Sequence, residues 1–246
     1  AAHGIGKALA HRFAIEKAKA IVVADVDFEN AQIVANKING TAVRLDVGNE
    51  AEIIKVVEQT TDSFGQIDLV CSNAGIAGDS GGIEVSNESW QNIWEINMMS
   101  HVYLTRAVLP QMIERKSGYF LITASAAGLL THVEGASYSV TKHAAVAYAE
   151  WLSIAYHDAG IRVSCLCPQG VKTRMVLDHK GKGKNFLLDG AIEPELVADI
   201  TLKGIENEQF LILPHAEVAD FFKNKAENYE RWLHALRKMR REILSV

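Results

Sequence analysis

Apolar residues fall along this chain in short β-branched runs separated by longer stretches of helical spacing. The runs are Ile21-Val22-Val23-Ala24, Thr41 to Leu45, Ile67 to Cys71, Tyr119 to Thr123, Ile161 to Leu166 and Phe210 to Leu213. Each is almost continuously apolar, the pattern of a strand covered on both faces of a parallel sheet. Helical periodicity covers about 5–19, 28–38, 49–64, 88–115 and 137–158. Alternation in this order predicts right-handed βαβ units, and so an α/β fold with a doubly wound parallel sheet in three α/β/α layers. No repeat, low-complexity tract or Pro/Ser-rich linker divides the 246 residues, which are expected to form a single domain, 1–246.

Three places depart from this alternation. Residues 174–192 include His179-Lys180-Gly181-Lys182-Gly183-Lys184-Asn185, which follows neither period, and are predicted to be a substrate lid loop. Residues 216–244 are predicted as one long helix, with Val218, Phe221, Phe222, Tyr229, Trp232, Leu233, Leu236 and Ile243 at helical spacing. Its basic end, Arg237-Lys238-Met239-Arg240-Arg241, complements a helix dipole. Packing on its own subunit and contact with another both suit this pattern. Finally, Gly4-Ile5-Gly6 opens a helix with no strand before it. In a doubly wound sheet that strand would lie between the runs at 21–24 and 67–71, and its loss would leave two unpaired edges. The first strand is therefore expected to be missing from the given sequence, with roughly ten further residues before Ala1 in the natural protein.

Composition narrows the partners. Lys+Arg total 25 and Asp+Glu 30, a net charge of −5, so no basic excess supports a nucleic-acid partner. No apolar run approaches the ~18 residues of a membrane span and no leader pattern opens the chain, so no membrane partner is expected and the cytoplasm is the expected location. Cys71, Cys165 and Cys167 are too few for a disulfide framework and read as buried thiols. The nine histidines show no metal-ligand spacing, and no metal is expected.

Candidate chemistry concentrates at the ends of the predicted strands. Ala1-Ala2-His3-Gly4-Ile5-Gly6 can be the tail of a phosphate-binding turn, where glycines admit the backbone and the helix N-terminus supplies free N–H groups. Asp25 closes the next strand, where an acid can accept the hydroxyls of an adenosine ribose. A 2′-phosphate there would meet a like charge, and charges ~4 Å apart repel by about 4 kcal/mol at an effective dielectric near 20. Half that cost exceeds a tenfold change in binding, so NAD is expected over NADP. His3 and Lys7 are the nearby cation candidates, and His3 is largely neutral at pH 7. Tyr138 and Lys142 stand at i and i+4 of a predicted helix and so share a face. A phenol is a poor proton exchanger at neutral pH, and a neighbouring cation lowers its pKa toward usefulness. Ser125 follows directly on an apolar strand, at the end where open α/β sheets bind ligands.

With Leu45-Asp46-Val47, Ser72-Asn73-Ala74-Gly75, Asn97 and Pro168 to Thr173 added in this order, the chain resembles the short-chain dehydrogenase/reductase family over nearly its whole length. The resemblance implies a Rossmann-like sheet, usually of seven strands. It places His3, Gly4, Ile5 and Gly6 at the pyrophosphate, and Asp25 with Val26 at the adenosine ribose. Asp46 and Val47 would meet the adenine, and Asn73, Ala74 and Gly75 the adenosine side. Pro168, Val171 and Thr173 would meet the nicotinamide carboxamide. Tyr138 would exchange a proton with the substrate oxygen, Ser125 would hold that oxygen, and Lys142 would bind the nicotinamide ribose and lower the Tyr138 pKa. Asn97 would position the water of a proton relay. Three motifs depart from the family pattern: the first glycine of the phosphate loop is missing, Ser72 heads Ser-Asn-Ala-Gly, and Gln169 follows Pro168.

The implied activity is hydride transfer between NAD and a small secondary alcohol or ketone, with Leu129, Leu130, Val133 and Met175 near the pocket. His132 could face the substrate or be a satisfied loop histidine. A catalytically silent dinucleotide-binding sensor or scaffold and an NADPH-dependent carbonyl reductase are the alternatives. The resemblance also implies a homodimer or homotetramer formed through the helices at 88–115 and 137–158.

Overall fold

The apolar runs pair as six parallel strands in a computed structural model that describes residues 1–178 and 187–244. Strands β1 (Val22–Asp25) and β2 (Thr41–Arg44) form one ladder, with Val22 opposite Thr41. Strands β3 (Leu69–Ser72), β4 (Gly118–Thr123), β5 (Ile161–Leu166) and β6 (Leu211–Ile212) form a second, in that order. Among the described residues no ladder joins β1 to β3, so the sheet has a two-stranded and a four-stranded part.

Side-chain alternation along β4 shows why both faces are covered. Phe120 and Ile122 enter one core with Ile53 and Val57 of α3 (Glu50–Phe64), Val108 and Met112 of α5 (Ser100–Glu114), and Ala145 and Leu152 of α7 (Ala136–Tyr156). Leu121, between them, packs on the other face against Ala8 and Leu9 of α1 (Gly4–Ile15) and Val197 and Ala198 of α9 (Pro194–Glu206). Val163, Cys165 and Leu166 of β5 divide in the same way. Period-2 alternation with apolar residues at every position requires helices on both sides, which is the doubly wound arrangement. Helix α2 (Phe28–Ile38) covers β1 and β2 through Ala31, Val34 and Ala35.

The helices differ from expectation in four places. The stretch 88–115 is α4 (Asn87–Trp94), a π-turn at Glu95–Met99 and then α5. The stretch 216–244 is two helices, α10 (Glu217–Glu227) and α11 (Tyr229–Leu244). Asn228 between them leaves the helical region at φ −149°, ψ 86°, and its Oδ1 accepts the Arg231 N–H at 3.0 Å. An asparagine that caps a helix looks, in sequence, like a polar position inside a longer one. Helix α9 was not anticipated, although Pro194 at its first turn is a start signal. Within the predicted lid, α8 (Arg174–Leu177) is helical and Val171 bridges Ile192, while 179–186 lie outside the described residues. Among the described residues no helix is long and apolar enough to cross a membrane.

Candidate active site

The C-terminal ends of the strands open on one cleft of about 1040 Å3. All the residues expected at the cofactor and catalytic positions line it except Gly6 and Asn97. Gly6 is buried within α1.

At the phosphate end, α1 begins at Gly4 with φ +52°, and a Cβ there would stand 2.9 Å from Thr173 Cγ2. Glycine is required on both counts. The N-cap residue His3 makes no side-chain cap and the first turn carries no acid, which leaves its N–H groups to an anionic ligand. Next to this turn, Asp25 Oδ2 accepts the Ala2 N–H at 2.8 Å, and Oδ1 accepts the Asp27 N–H at 3.0 Å. Burial pushes the Asp25 carboxyl up, and the Ala2 and Asp27 N–H groups oppose that rise. Arg174 also lines the cleft, a cation the sequence reading did not single out. Its guanidinium lies 3.7 Å from Asp27 Oδ2, which His3 Nε2 also contacts at 2.7 Å. Burial, with Arg174 adding to it, lowers the His3 pKa and keeps that ring neutral at pH 7. At the end expected to hold the adenine, Asp46 Oδ1 accepts the Gly48 N–H at 2.9 Å.

The side chains expected to be catalytic come from the end of β4 and from α7. Ser125 follows β4, and its Oγ accepts the Ala127 N–H at 3.1 Å, donates to Pro168 O at 3.5 Å and lies near enough to the Tyr138 phenol to favour its ionisation. Tyr138 and Lys142 lie one turn apart on α7, with Lys142 Nζ 5.9 Å from the Tyr138 ring centre. The short helix α6 (Ala127–Leu130) crosses α7 at Gly128, where a Cβ would stand 2.4 Å from the Lys142 carbonyl oxygen. Only glycine permits that approach, and it sets Ser125 beside Tyr138. Lys142 Nζ donates to Thr123 O at 3.0 Å. Burial lowers its pKa to about 8, opposed by the Cys167 and Cys165 thiols.

One expectation needs correction. Burial raises the Tyr138 pKa above its ordinary value, and Ser125 only partly opposes this. Lys142 does not bring the phenol below that value in the free protein, because its ammonium is itself desolvated and is turned to Thr123 O. Asn97 lies behind the cleft lining: it sits in the π-turn, fully buried, and both ends of its amide bond the Ile76 backbone. That places it behind the Asn73–Ile76 wall as a positioning residue, and π-turns recur at such sites.

Other residues were only partly foreseen. Leu130, Val133 and Met175 line the cleft, but Leu129 belongs to the core. His132 does face it, edge-on to Tyr138 at 6.1 Å, and its Nδ1 also accepts the Glu134 N–H at 3.3 Å. Gln169 lines the cleft too, its N–H held by His215 Nδ1 at 3.2 Å. Phe221 of α10 and Trp232, Leu236 and Met239 of α11 also contribute, which helical spacing alone did not assign to a ligand site. The three cysteines are free thiols, and burial raises Cys71 to about 12.

The residues present fit a dinucleotide. Among the described residues Asn73 Oδ1 and Thr123 Oγ1 are buried without a hydrogen-bond partner, beside an uncapped helix N-terminus and a carboxylate at the next strand end. Buried polar atoms are ordinarily paired, so these mark where a polar ligand belongs. A family model described as short chain dehydrogenase matches residues 1–182. The chain belongs to the short-chain dehydrogenase/reductase family of oxidoreductases. This family member is 31% identical over 245 residues to the 1-deoxy-11-beta-hydroxypentalenate dehydrogenase of Streptomyces exfoliatus, covering 95% of this chain and 86% of that one. It is 27% identical over 246 residues to human estradiol 17-beta-dehydrogenase 11, covering 97% and 80% of the two chains. A short chain dehydrogenase/reductase from Burkholderia phymatum, solved in complex with NAD, superposes with a TM-score of 0.82 at 26% identity, covering 94% and 92%. A Sphingobium yanoikuyae short-chain dehydrogenase in complex with NADPH has the same fold, with a TM-score of 0.82 at 20% identity and coverage of 95% and 92%. The short-chain dehydrogenases thus bind nicotinamide dinucleotides of both kinds and act on small molecules.

Proposed function

We propose that the protein is an NAD-linked dehydrogenase that interconverts a secondary alcohol and a ketone, with Tyr138 as general acid and base. The observation that carries this reading is the convergence of Ser125, Tyr138 and Lys142, from β4 and α7, on one cleft whose other end is a helix N-terminus beside Asp25. When bound, the nicotinamide accepts or supplies the hydride. The protein does the rest. Ser125 Oγ holds the substrate oxygen. In oxidation, the hydroxyl proton passes to the Tyr138 oxygen while the carbinol hydrogen leaves with its electron pair. Reduction reverses both movements. Lys142, an ammonium below about pH 8, favours the phenolate form of Tyr138 once ligands have displaced solvent, and would bind the ribose hydroxyls. Gly4 and Ile5 would hold the pyrophosphate, Asp25 the adenosine ribose, and Val171 with Thr173 the carboxamide.

Asp25 supports NAD over NADP. A 2′-phosphate would meet its carboxylate, and the nearby Arg174 is already paired with Asp27. The outer faces of α5 and α7 support a homo-oligomer: Ile113, Val140, Trp151 and Ile154 are exposed there, an apolar surface of the kind subunits cover. Following the reduced-nicotinamide absorbance with secondary alcohols and ketones, with each dinucleotide, tests the activity. Turnover with NAD is expected; turnover with NADP alone would overturn the cofactor assignment.

A further inference from the structure

The cleft wall extends beyond the residues expected to hold a dinucleotide. Leu130, Val133, Met175, Phe221, Leu236 and Met239 line it as well, and the last three come from α10 and α11. Phe221 is 38% exposed and Met175 41%, so apolar side chains stand open to solvent along this wall. Such a wall is stabilised when it is covered, either by collapse or by an apolar ligand. Two ties oppose collapse. Lys225 Nζ, largely buried, donates to Leu129 O at 2.5 Å, and the Arg240 guanidinium donates to Val133 O. Both acceptors lie in the segment between Ser125 and Tyr138, so α10 and α11 are pinned to the stretch that carries the reacting groups. Leu236 and Met239 are three residues apart and share the face of α11 turned to the cleft, while Arg237, Lys238 and Arg241 are exposed.

We propose that the substrate is a secondary alcohol or ketone on a bulky apolar body of two or more fused rings, and that Leu236 and Met239 select that body. This rests on the reading of Tyr138 as the reacting end of the cleft. The six side chains come from α6 and the turn after it, α8, α10 and α11, too many elements for one small ring to reach at once. A small alcohol at Tyr138 leaves this roof in water. A fused-ring body covers it, and each methylene fully buried strengthens binding by about fourfold. Lys225 and Arg240 are positioning residues, which hold the roof at the height such a body needs.

Calorimetric binding of alcohols to the full chain saturated with NADH tests this, since an alcohol beside a reduced dinucleotide cannot turn over. The probes are saturated alcohols of one, two and three fused rings: cyclohexanol, a decalol and a perhydrophenanthrenol. Affinity is expected to rise about tenfold or more with each ring, even if each added ring is only partly buried. General greasiness would produce a rise too, so the variants decide where the rings lie. Leu236→Ala with Met239→Ala weakens the three-ring alcohol by about tenfold or more and leaves cyclohexanol and NADH within about twofold. Affinities that do not rise with ring number, or a rise that survives the paired substitution, would overturn the proposal. Should the paired variant not fold, Met239→Ala alone is read in the same way, with about a threefold loss expected. NADH binding without alcohol, and turnover of the same alcohols with NAD, are measured apart. Failure there overturns the dehydrogenase reading as well, whereas turnover that favours cyclohexanol overturns this proposal alone.

Discussion

Asn97 and Ile76 are joined in both directions: the Ile76 N–H donates to Asn97 Oδ1 at 2.8 Å, and Asn97 Nδ2 donates back to Ile76 O at 2.9 Å. A side-chain amide here plays the part of a neighbouring strand. It fixes the segment that carries Asn73, Ala74 and Gly75 along the cleft. Asn97→Ala removes both bonds. Leaving buried backbone groups unpaired costs about 1–3 kcal/mol each, so a stability loss of about 2 kcal/mol or more is expected in urea unfolding. Dinucleotide affinity should fall with it. A loss under about 0.5 kcal/mol would show that the segment holds its place unaided.

Lys142 makes the site dependent on pH in a definite sense. Burial lowers its pKa to about 8 in the folded protein from an ordinary 10.5. Between those values the unfolded chain binds more protons, so this residue's contribution to stability rises with pH from 8 to 10.5. From pH 7 to 9.5 the rise is about 2 kcal/mol. Lys142→Met should abolish it, and parallel urea titrations of the two proteins at both pH values measure the difference. Catalysis runs the other way. Ketone reduction needs the charged ammonium and the protonated phenol, so kcat/KM for reduction should decline above about pH 8. A flat profile to pH 10 would remove the ammonium from the reaction.

How much of this could be read from sequence depends on what each residue answers to. Near-continuous apolar runs such as Tyr119 to Thr123 announce buried strands, because a strand covered on both faces has no polar side. Tyr138, Lys142 and Ser125 were legible because spacing and strand ends fix them. The Tyr138 pKa was not, since sequence shows the cation neighbour but not the desolvation that outweighs it. Trp232 and Leu236 showed only that one face of α11 is covered, not that part of what it covers is a cleft. Asn228 read as one more polar helix position, because its capping role depends on the turn it makes. Arg174 was passed over because its pairing with Asp27 depends on the loop after β5 folding back toward α2.

Cofactor choice should respond to Asp25. Asp25→Ala removes the carboxylate that a 2′-phosphate would meet, and the ratio of kcat/KM with NAD to that with NADP should fall by about tenfold or more. An unchanged ratio would place selection elsewhere, with Arg174 the next residue to substitute.

Assembly should depend on the outer face of α7. Trp151 is 53% exposed and Ile154 81%, beside a groove that also involves Val102, Arg106 and Pro110 of α5. A glutamate at Ile154 places a charge on that face, and sedimentation velocity should show a shift toward monomer. An Ile154→Glu protein that sediments like its parent would exclude this face as the main contact.

The central claim is that Tyr138 moves the proton while the carbinol hydrogen moves as hydride. The most direct measurement uses a secondary alcohol deuterated at the carbinol carbon and follows the label into the dinucleotide by mass spectrometry. The account predicts that deuterium appears in the reduced dinucleotide, and that Tyr138→Phe lowers kcat by about 10²–10⁴ with dinucleotide affinity little changed. Wild-type turnover by Tyr138→Phe, or label released to solvent instead of transferred, would contradict it.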